Sequence, residues 1–135
     1  MIEFIYKTRV EFYDVDSMDV VWRGNYVKFL EAARCAFLRY VGYDYGSFRA
    51  DGFVLPIVKM EFKYVSPAFF GDELDVKVTL GECETMLKLS YEISSKNGLV
   101  CKAKTAQASV QIASKTTMFE LPSGFYKALK GKYEI

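Results

Sequence analysis

The pattern of apolar and polar positions along the chain predicts one strand, one long helix and then four more strands. Residues 4–12 alternate between apolar and polar side chains, which is the two-residue period of a strand. From about Gly24 to Val41 the apolar residues recur every three or four positions, which predicts a helix with one buried stripe. Gly42 follows at the position where a left-handed residue commonly caps a helix.

The second half of the chain keeps the strand pattern. The predicted strands cover residues 54–65, 73–80, 86–94 and 99–113. Asn97-Gly98 is a strong tight-turn signal, a short helical link is predicted over residues 44–51, and Pro122 opens a short C-terminal helix to about Leu129. One long helix lying on a five-stranded antiparallel sheet is a two-layer α+β arrangement.

Length and composition limit how this chain is organised. It has 135 residues with no repeat and no low-complexity linker, so residues 1–135 are predicted to form a single domain. One helix cannot cover five strands, and the remaining apolar face and the sheet edge predict a homodimer. No integral membrane segment is expected, because no run approaches the roughly 18 apolar residues that span a bilayer. The N-terminus lacks a signal-peptide pattern, and the expected location is therefore cytoplasmic.

Charge and the residue types present restrict the possible chemistry. The 18 basic and 17 acidic residues nearly balance, which argues against a nucleic-acid partner. Histidine is absent, which excludes Ser-His-Asp and Cys-His catalytic systems and any His-ligated metal site. The three cysteines are widely spaced and odd in number, as expected of reduced thiols rather than of a metal site. Acid–base chemistry is therefore left to carboxylates, Lys, Tyr or Cys.

The loop between the first strand and the long helix carries the best candidate chemistry. Asp14, Asp16 and Asp19 fall within six residues, next to apolar residues 20–22 and just before the helix start. A helix start presents unpaired N–H groups that can hold a developing oxyanion, and a nearby carboxylate could attack a carbonyl or deprotonate a water. On this local pattern alone, the commoner roles of such aspartates, capping and turn formation, are the stronger interpretation.

Several stretches of the chain resemble one known family. They are FYDVD at 12–16, VVWRGNY at 20–26, FLEAAR at 29–34, and residues 55–68 and 71–74. Together they resemble the 4-hydroxybenzoyl-CoA thioesterase family, a group that includes thioesterases associated with the Tol–Pal envelope system. The resemblance extends from about Tyr6 to Leu129. It implies the hotdog fold, in which a five-stranded antiparallel sheet wraps one long helix, and it implies acyl-CoA thioester hydrolysis.

The resemblance also implies roles for particular residues. Asp16 is implied as the catalytic carboxylate, either as a general base on water or as a nucleophile that forms a mixed anhydride. The backbone N–H at or near Arg23 is implied as the donor that polarises the thioester carbonyl. The remaining implied substrate contacts are Trp22, Gly24, Asn25 and Tyr26 at the helix start, with Val58 and Lys59 on the sheet side. No metal or other cofactor is required.

Two departures from the family keep an alternative open. Arg23 stands where many members have His, and Asp19 stands where Gly is usual. Both changes favour a non-catalytic acyl-binding or scaffold module that recruits acyl carrier protein or a phospholipid-synthesis partner, whereas the retained Asp16 favours the enzyme. Family members assemble as dimers, often paired into tetramers, with active sites at the subunit interface. The acyl group, the route through Asp16, and the choice between dimer and tetramer stay open at this point.

Overall fold

A five-stranded antiparallel sheet and one long helix form the body of the computed structural model, which describes residues 2–133. In chain order the elements are β1 (Glu3–Arg9), α1 (Tyr26–Val41), α2 (Tyr45–Ala50), β2 (Phe53–Val54), β3 (Ile57–Tyr64), β4 (Glu73–Leu80), β5 (Leu87–Ser95), β6 (Gly98–Gln107), β7 (Ser109–Gln111), β8 (Thr116–Met118) and α3 (Ser123–Tyr133). The large sheet has the order β1-β4-β5-β6-β3. The predicted two-layer α+β architecture is confirmed.

The helix α1 packs its apolar stripe against the inner face of the sheet. Its buried apolar residues are Tyr26, Phe29, Leu30, Ala33, Phe37, Leu38 and Val41. The buried residues of β4 and β5 that alternate with exposed ones are Leu74, Val76, Val78, Leu87, Leu89, Tyr91 and Ile93. Each buried Leu or Phe is worth about 1.5–3 kcal/mol relative to exposure, so this contact is the main core. The helix ends as predicted at Gly42, whose φ is 91°.

The outer face of the sheet is mostly charged. Its residues include Lys77, Lys88, Glu92, Lys102 and Lys104, and Lys77 Nζ lies 3.2 Å from Glu92 Oε2. Such exposed ion pairs contribute little to stability. The sequence predicted that an apolar face of the sheet would remain uncovered. The outer face is charged, so it is not that apolar face. The exposed apolar side chains of the sheet lie instead on its edge strands, as Ile5 on β1 and Ile57 and Val58 on β3.

Four predicted elements have different limits in the structure. The strand predicted at 54–65 is interrupted at Leu55-Pro56, because proline has no N–H to donate to a ladder. The strand predicted at 99–113 divides after Gln107, and β7 then pairs with β2 and β8 in a second, three-stranded sheet. The first strand ends at Arg9, so Phe12 lies in a 3₁₀ turn and is exposed. The C-terminal helix continues past Leu129 to Tyr133.

One polar cluster lies inside the core, where α1 faces the sheet and α2. Arg34 is only 4% exposed, and its Nε donates to the Tyr45 hydroxyl at 2.6 Å. Its Nη1 lies 3.4 Å from the Tyr91 hydroxyl, which is 2.8 Å from Thr105 Oγ1. Gln107 Nε2 donates to the same Tyr45 hydroxyl at 3.0 Å and to a backbone carbonyl at 2.8 Å. This buried cation is therefore held by neutral hydroxyl and amide groups.

No helix within residues 2–133 combines the length and the apolar character that crossing a membrane requires.

Candidate active site

The candidate site begins at a tight turn that Asp16 both starts and braces. Asp19 N–H donates to the Asp16 carbonyl at 3.0 Å, and Asp16 N–H donates to the Val20 carbonyl at 3.0 Å. The Asp16 side chain accepts from Met18 N–H at 2.9 Å and from Val20 N–H at 3.3 Å, both at Oδ1. Asp16 is exposed, and no donor in the described chain occupies its second oxygen, Oδ2. One carboxylate oxygen is thus fixed while the other is open.

Asp14, two residues earlier, has a different environment. It is 1% exposed and its carboxylate forms an ion pair with Lys28 on α1. Asp14 Oδ2 accepts from Glu11 N–H at 2.8 Å, and the Asp14 carbonyl accepts from Asn25 Nδ2 at 2.7 Å. Asp14 therefore joins the loop to the start of α1. The Asn25 side chain holds Asp14 from the helix side, and its implied contact with substrate stays a prediction.

The start of α1 leaves backbone donors free. A 3₁₀ turn over Arg23–Asn25 precedes the helix, and Trp22 at its N-cap provides no side-chain cap. The first N–H groups of such a turn have no partner within it. Within residues 2–133, the N–H groups of Arg23 and Gly24 have no hydrogen-bond acceptor. The Trp22 ring lies against Gly24, where a Cβ would overlap it, and Trp22 is 54% exposed.

A cleft of about 260 Å³ opens beside this helix start. Its lining residues are Val20, Val21, Arg23, Tyr26, Tyr64, Val65, Ser66 and Pro67. The Arg23 guanidinium carbon lies 5.0 Å from the centre of the Tyr64 ring, and the Tyr64 hydroxyl donates to the Arg23 carbonyl at 3.4 Å. Burial raises the pKa of Tyr26 to about 12, so this phenol stays neutral at ordinary pH. Tyr26 therefore forms an uncharged wall of the cleft.

Of the site residues predicted from the sequence, Arg23 and Tyr26 line this cleft. Within residues 2–133, the others are not among its lining residues, namely Asp16, Trp22, Gly24, Asn25, Val58 and Lys59. Val58 is 57% exposed on β3, and Lys59 Nζ lies 2.8 Å from Glu61 Oε1. Val58 lies six residues before Tyr64, which corresponds to about 20 Å of strand at about 3.3 Å per residue. Within the described part of one chain, neither Val58 nor Lys59 lines the cleft.

The sheet side of the cleft is formed by Tyr64 and the segment after β3, which sequence reasoning missed. A usable signal was the alternation of Phe62 and Tyr64, whose rings stack at 5.7 Å on one face of the strand. The alternation predicts a shared face, but it does not indicate that this face meets the start of α1.

Residues 10–129 match the family model of the thioesterase-like superfamily, which is most of the chain. The chain belongs to this superfamily. A relative from Aquifex aeolicus, named only as a candidate esterase, is 32% identical over 109 residues, which are 80% of this chain and 85% of the relative. The 1,4-dihydroxy-2-naphthoyl-CoA hydrolase of Thermosynechococcus vestitus is 27% identical over 110 residues, which are 79% of this chain and 75% of that enzyme.

The fold of this thioesterase-like chain agrees with a solved relative. The crystal structure of a hypothetical protein from Aquifex aeolicus superposes with a TM-score of 0.84 at 30% identity, over 94% of this chain and 99% of that one. The expected family and the expected hotdog fold are confirmed.

Proposed function

We propose that this thioesterase-like protein hydrolyses acyl-CoA thioesters with Asp16 as its working carboxylate. The observation that carries the proposal is the open Asp16 Oδ2 on a turn that leads into a helix start with free N–H groups at Arg23 and Gly24. A carboxylate and an oxyanion donor are the two groups that thioester hydrolysis needs in a chain without histidine. The name of the Thermosynechococcus relative supports a CoA thioester as the substrate.

In the proposed reaction, the thioester carbonyl oxygen accepts a hydrogen bond from the N–H of Arg23. Asp16 then takes the proton of a water whose oxygen adds to the carbonyl carbon, and the C–S bond breaks to release the acid and the CoA thiolate. In the second route, Asp16 itself attacks and CoA leaves first, and water then cleaves the resulting anhydride. A general base typically contributes about 10²–10⁴ in rate, and one oxyanion donor about 10²–10³.

The two routes predict different fates for isotope from water. In a single turnover in H₂¹⁸O, the anhydride route leaves ¹⁸O in the Asp16 carboxylate when water attacks on that side, whereas the general-base route labels only the product acid. Detection of ¹⁸O by mass spectrometry in the peptide that contains Asp16 would therefore identify the anhydride route.

The main experiment measures free thiol release from a panel of acyl-CoAs. Asp16→Asn keeps an oxygen that can accept from Met18 and Val20, so the turn should survive while the base is lost. We expect kcat/KM to fall by about 10²–10⁴. Asp75→Asn, at an exposed aspartate on β4 paired only with Lys7, is the matched control and should retain activity. An Asp16→Asn variant that keeps more than a tenth of the wild-type rate would refute the assignment.

The alternative of a non-catalytic acyl-binding module was favoured by two departures from the family, and the structure weakens the one at Asp19. Asp19 has a φ of 60°, the left-handed conformation that glycine adopts most easily. The replacement of a usual Gly by Asp19 therefore keeps the shape of the turn. Tight binding of an acyl-CoA or an acylated carrier protein, without release of thiol by wild-type protein, would favour this alternative.

We also propose that the active protein is a homodimer, with pairing of such dimers into a tetramer as a further step. The strand β3 lies at the edge of the sheet with exposed Ile57 and Val58, and an exposed apolar edge is a common pairing surface. A second copy at this edge would also give Val58 and Lys59 the route to a substrate that they lack within one chain. Specific activity should then fall on dilution through the dissociation range. A fully active monomer, shown by sedimentation at assay concentration, would contradict a shared site.

A further inference from the structure

We infer that the Arg23 guanidinium selects thioesters whose acyl group carries an anionic substituent, such as a carboxylate. The inference rests on the proposed function and adds a substrate class to it. Arg23 is the one charged residue among the residues that line the cleft. The other walls are two tyrosines, three valines, a serine and a proline.

The guanidinium of Arg23 packs on an aromatic ring but is not paired with a carboxylate in the described part of the chain. It lies over the face of Tyr64, with its carbon 5.0 Å from the ring centre, which holds the side chain in place by a cation–π contact. Throughout residues 2–133, no carboxylate lies within ion-pair distance of it. A guanidinium that is planar, always charged and already positioned is suited to bidentate binding of a carboxylate.

The position of Arg23 indicates which part of the substrate its side chain meets. Its own backbone N–H is proposed to hold the thioester carbonyl, so the guanidinium lies one side chain away from the reacting carbon. The phosphates of CoA are separated from that carbon by the whole pantetheine arm. An anion on the acyl group is therefore the nearer partner.

The test compares pairs of thioesters of matched shape, glutaryl-CoA with hexanoyl-CoA and 4-carboxybenzoyl-CoA with 4-methylbenzoyl-CoA. The measured quantity is the ratio of kcat/KM for the charged member to that for the neutral member. We expect wild-type protein to favour the charged member, and Arg23→Gln to lower the ratio about ten- to a hundredfold, as for the loss of one charge-assisted hydrogen-bonded pair. Arg23→Lys keeps the charge without the planar fork and should lower it by less.

Three further variants test whether the change in the kcat/KM ratio is due to the Arg23 guanidinium and not to the loss of any positive charge. Arg39→Gln removes an exposed arginine at the other end of α1 and should leave the ratio unchanged. Tyr64→Leu removes the ring under Arg23 and should lower the ratio partly, whereas Tyr64→Phe keeps the ring and should preserve it.

A second set of thioesters, made with pantetheine, which carries none of the CoA phosphates, distinguishes the two sources of negative charge. If Arg23→Gln weakens charged and neutral CoA thioesters equally and this loss disappears with the pantetheine thioesters, the guanidinium binds a CoA phosphate and the inference is wrong. Equal wild-type rates within each pair would also overturn it, while hydrolysis of the neutral members would leave the proposed function standing.

If wild-type protein hydrolyses no thioester, the proposed function fails, and calorimetry with non-hydrolysable thioether analogues of the same pairs decides the selectivity of Arg23. Tighter binding of the charged thioether, lost in Arg23→Gln, supports the inference, and equal binding refutes it.

Discussion

The helix α1 carries one polar region and is preceded by another, and the two differ in how many of their hydrogen-bonding groups have a partner within the chain. In the middle of α1, Arg34 donates to Tyr45 at 2.6 Å inside a cluster of mutually bonded hydroxyl and amide groups. In the segment just before it, Asp16 Oδ2 and the Arg23 guanidinium and N–H have no hydrogen-bond partner among residues 2–133. The first region is buried and the second is open to solvent. The comparison indicates that the first holds the fold together and the second is available to a ligand.

Burial explains why the two regions differ. A buried polar group left without a partner costs about 1–3 kcal/mol, so groups inside the core must bond one another. An exposed group is solvated by water and can exchange that water for a substrate. Burial alone would lower the pKa of Arg34, but the adjacent Tyr91 and Tyr45 hydroxyls offset this and the pKa is raised. Arg34 therefore stays charged without a carboxylate partner.

The largest expected effect on stability tests the buried region. Arg34→Met keeps the length of the side chain but leaves the Tyr45 and Tyr91 hydroxyls with fewer partners. We expect the free energy of unfolding to fall by about 2–4 kcal/mol, since loss of one partner from a buried polar network leaves the others unpaired. Urea denaturation followed by circular dichroism measures this. Arg39→Met, on the exposed side of the same helix, should change stability by less than about 0.5 kcal/mol. Equal stability of both variants would contradict the assignment of the cluster to the fold.

The same residue shows where sequence patterns stop being informative. The period of the apolar residues predicted both ends of α1 to within two residues. It could do so because the stripe that faces the core consists of residues three or four positions apart in the sequence. Arg34 lies between those positions, where the pattern predicts an exposed polar side chain. Its burial depends on Tyr45, Tyr91 and Gln107, which come from α2, β5 and β6. No local spacing predicts that these meet at one point.

The candidate site shows the same division. The residues of the loop and helix start lie close together in the sequence, so one motif named them, and two of them, Arg23 and Tyr26, line the cleft. The opposite wall of the cleft comes from Tyr64, Val65, Ser66 and Pro67, about forty residues later in the chain. The position of that wall follows from where β3 ends against the helix start, and this is a property of the tertiary packing. The family resemblance named Val58 and Lys59 on the sheet side, and their contact with substrate stays a prediction.

The next effect concerns Asp14, which is buried like Arg34 but belongs to the site loop. Asp14→Asn loses the ion pair with Lys28 and should lower the free energy of unfolding by about 1–2 kcal/mol. Because the loop would be less firmly joined to α1, kcat/KM should fall as well, though by less than in Asp16→Asn. A double-mutant cycle with Lys28→Met measures the coupling directly. Since Lys28 is half exposed, we expect a coupling of no more than about 1 kcal/mol. A coupling of zero would show that Asp14 acts through its hydrogen bonds with Glu11 and Asn25 and not through Lys28.

A smaller effect appears only at alkaline pH and concerns Tyr26, which lies between the two regions. Its pKa is about 12 in the folded protein, raised by burial, whereas a free phenol titrates near 10. Above pH 10 the unfolded chain loses this proton first, so the free energy of unfolding falls as pH rises. At pH 11 the loss due to Tyr26 is about 1 kcal/mol. Tyr26→Phe should remove that part of the decline, and Tyr13→Phe, at an exposed tyrosine, should not. An unchanged decline in Tyr26→Phe would contradict the burial of an unionised phenol there.

The smallest expected effect on stability is at Gly24, where the open region is most easily disturbed. In Gly24→Ala the added Cβ would overlap the Trp22 ring, which must move away from the helix start. Since Trp22 is exposed and alanine favours helix, the free energy of unfolding should change by less than about 0.5 kcal/mol. Trp22 is the one tryptophan in the sequence, so its fluorescence reports the movement without interference. We expect a shifted emission maximum together with a raised KM, because the ring borders the free N–H groups of Arg23 and Gly24. A changed emission with unaltered KM and kcat would show that Trp22 lies outside the substrate path, and would confine the open region to Asp16, Arg23 and the cleft beyond them.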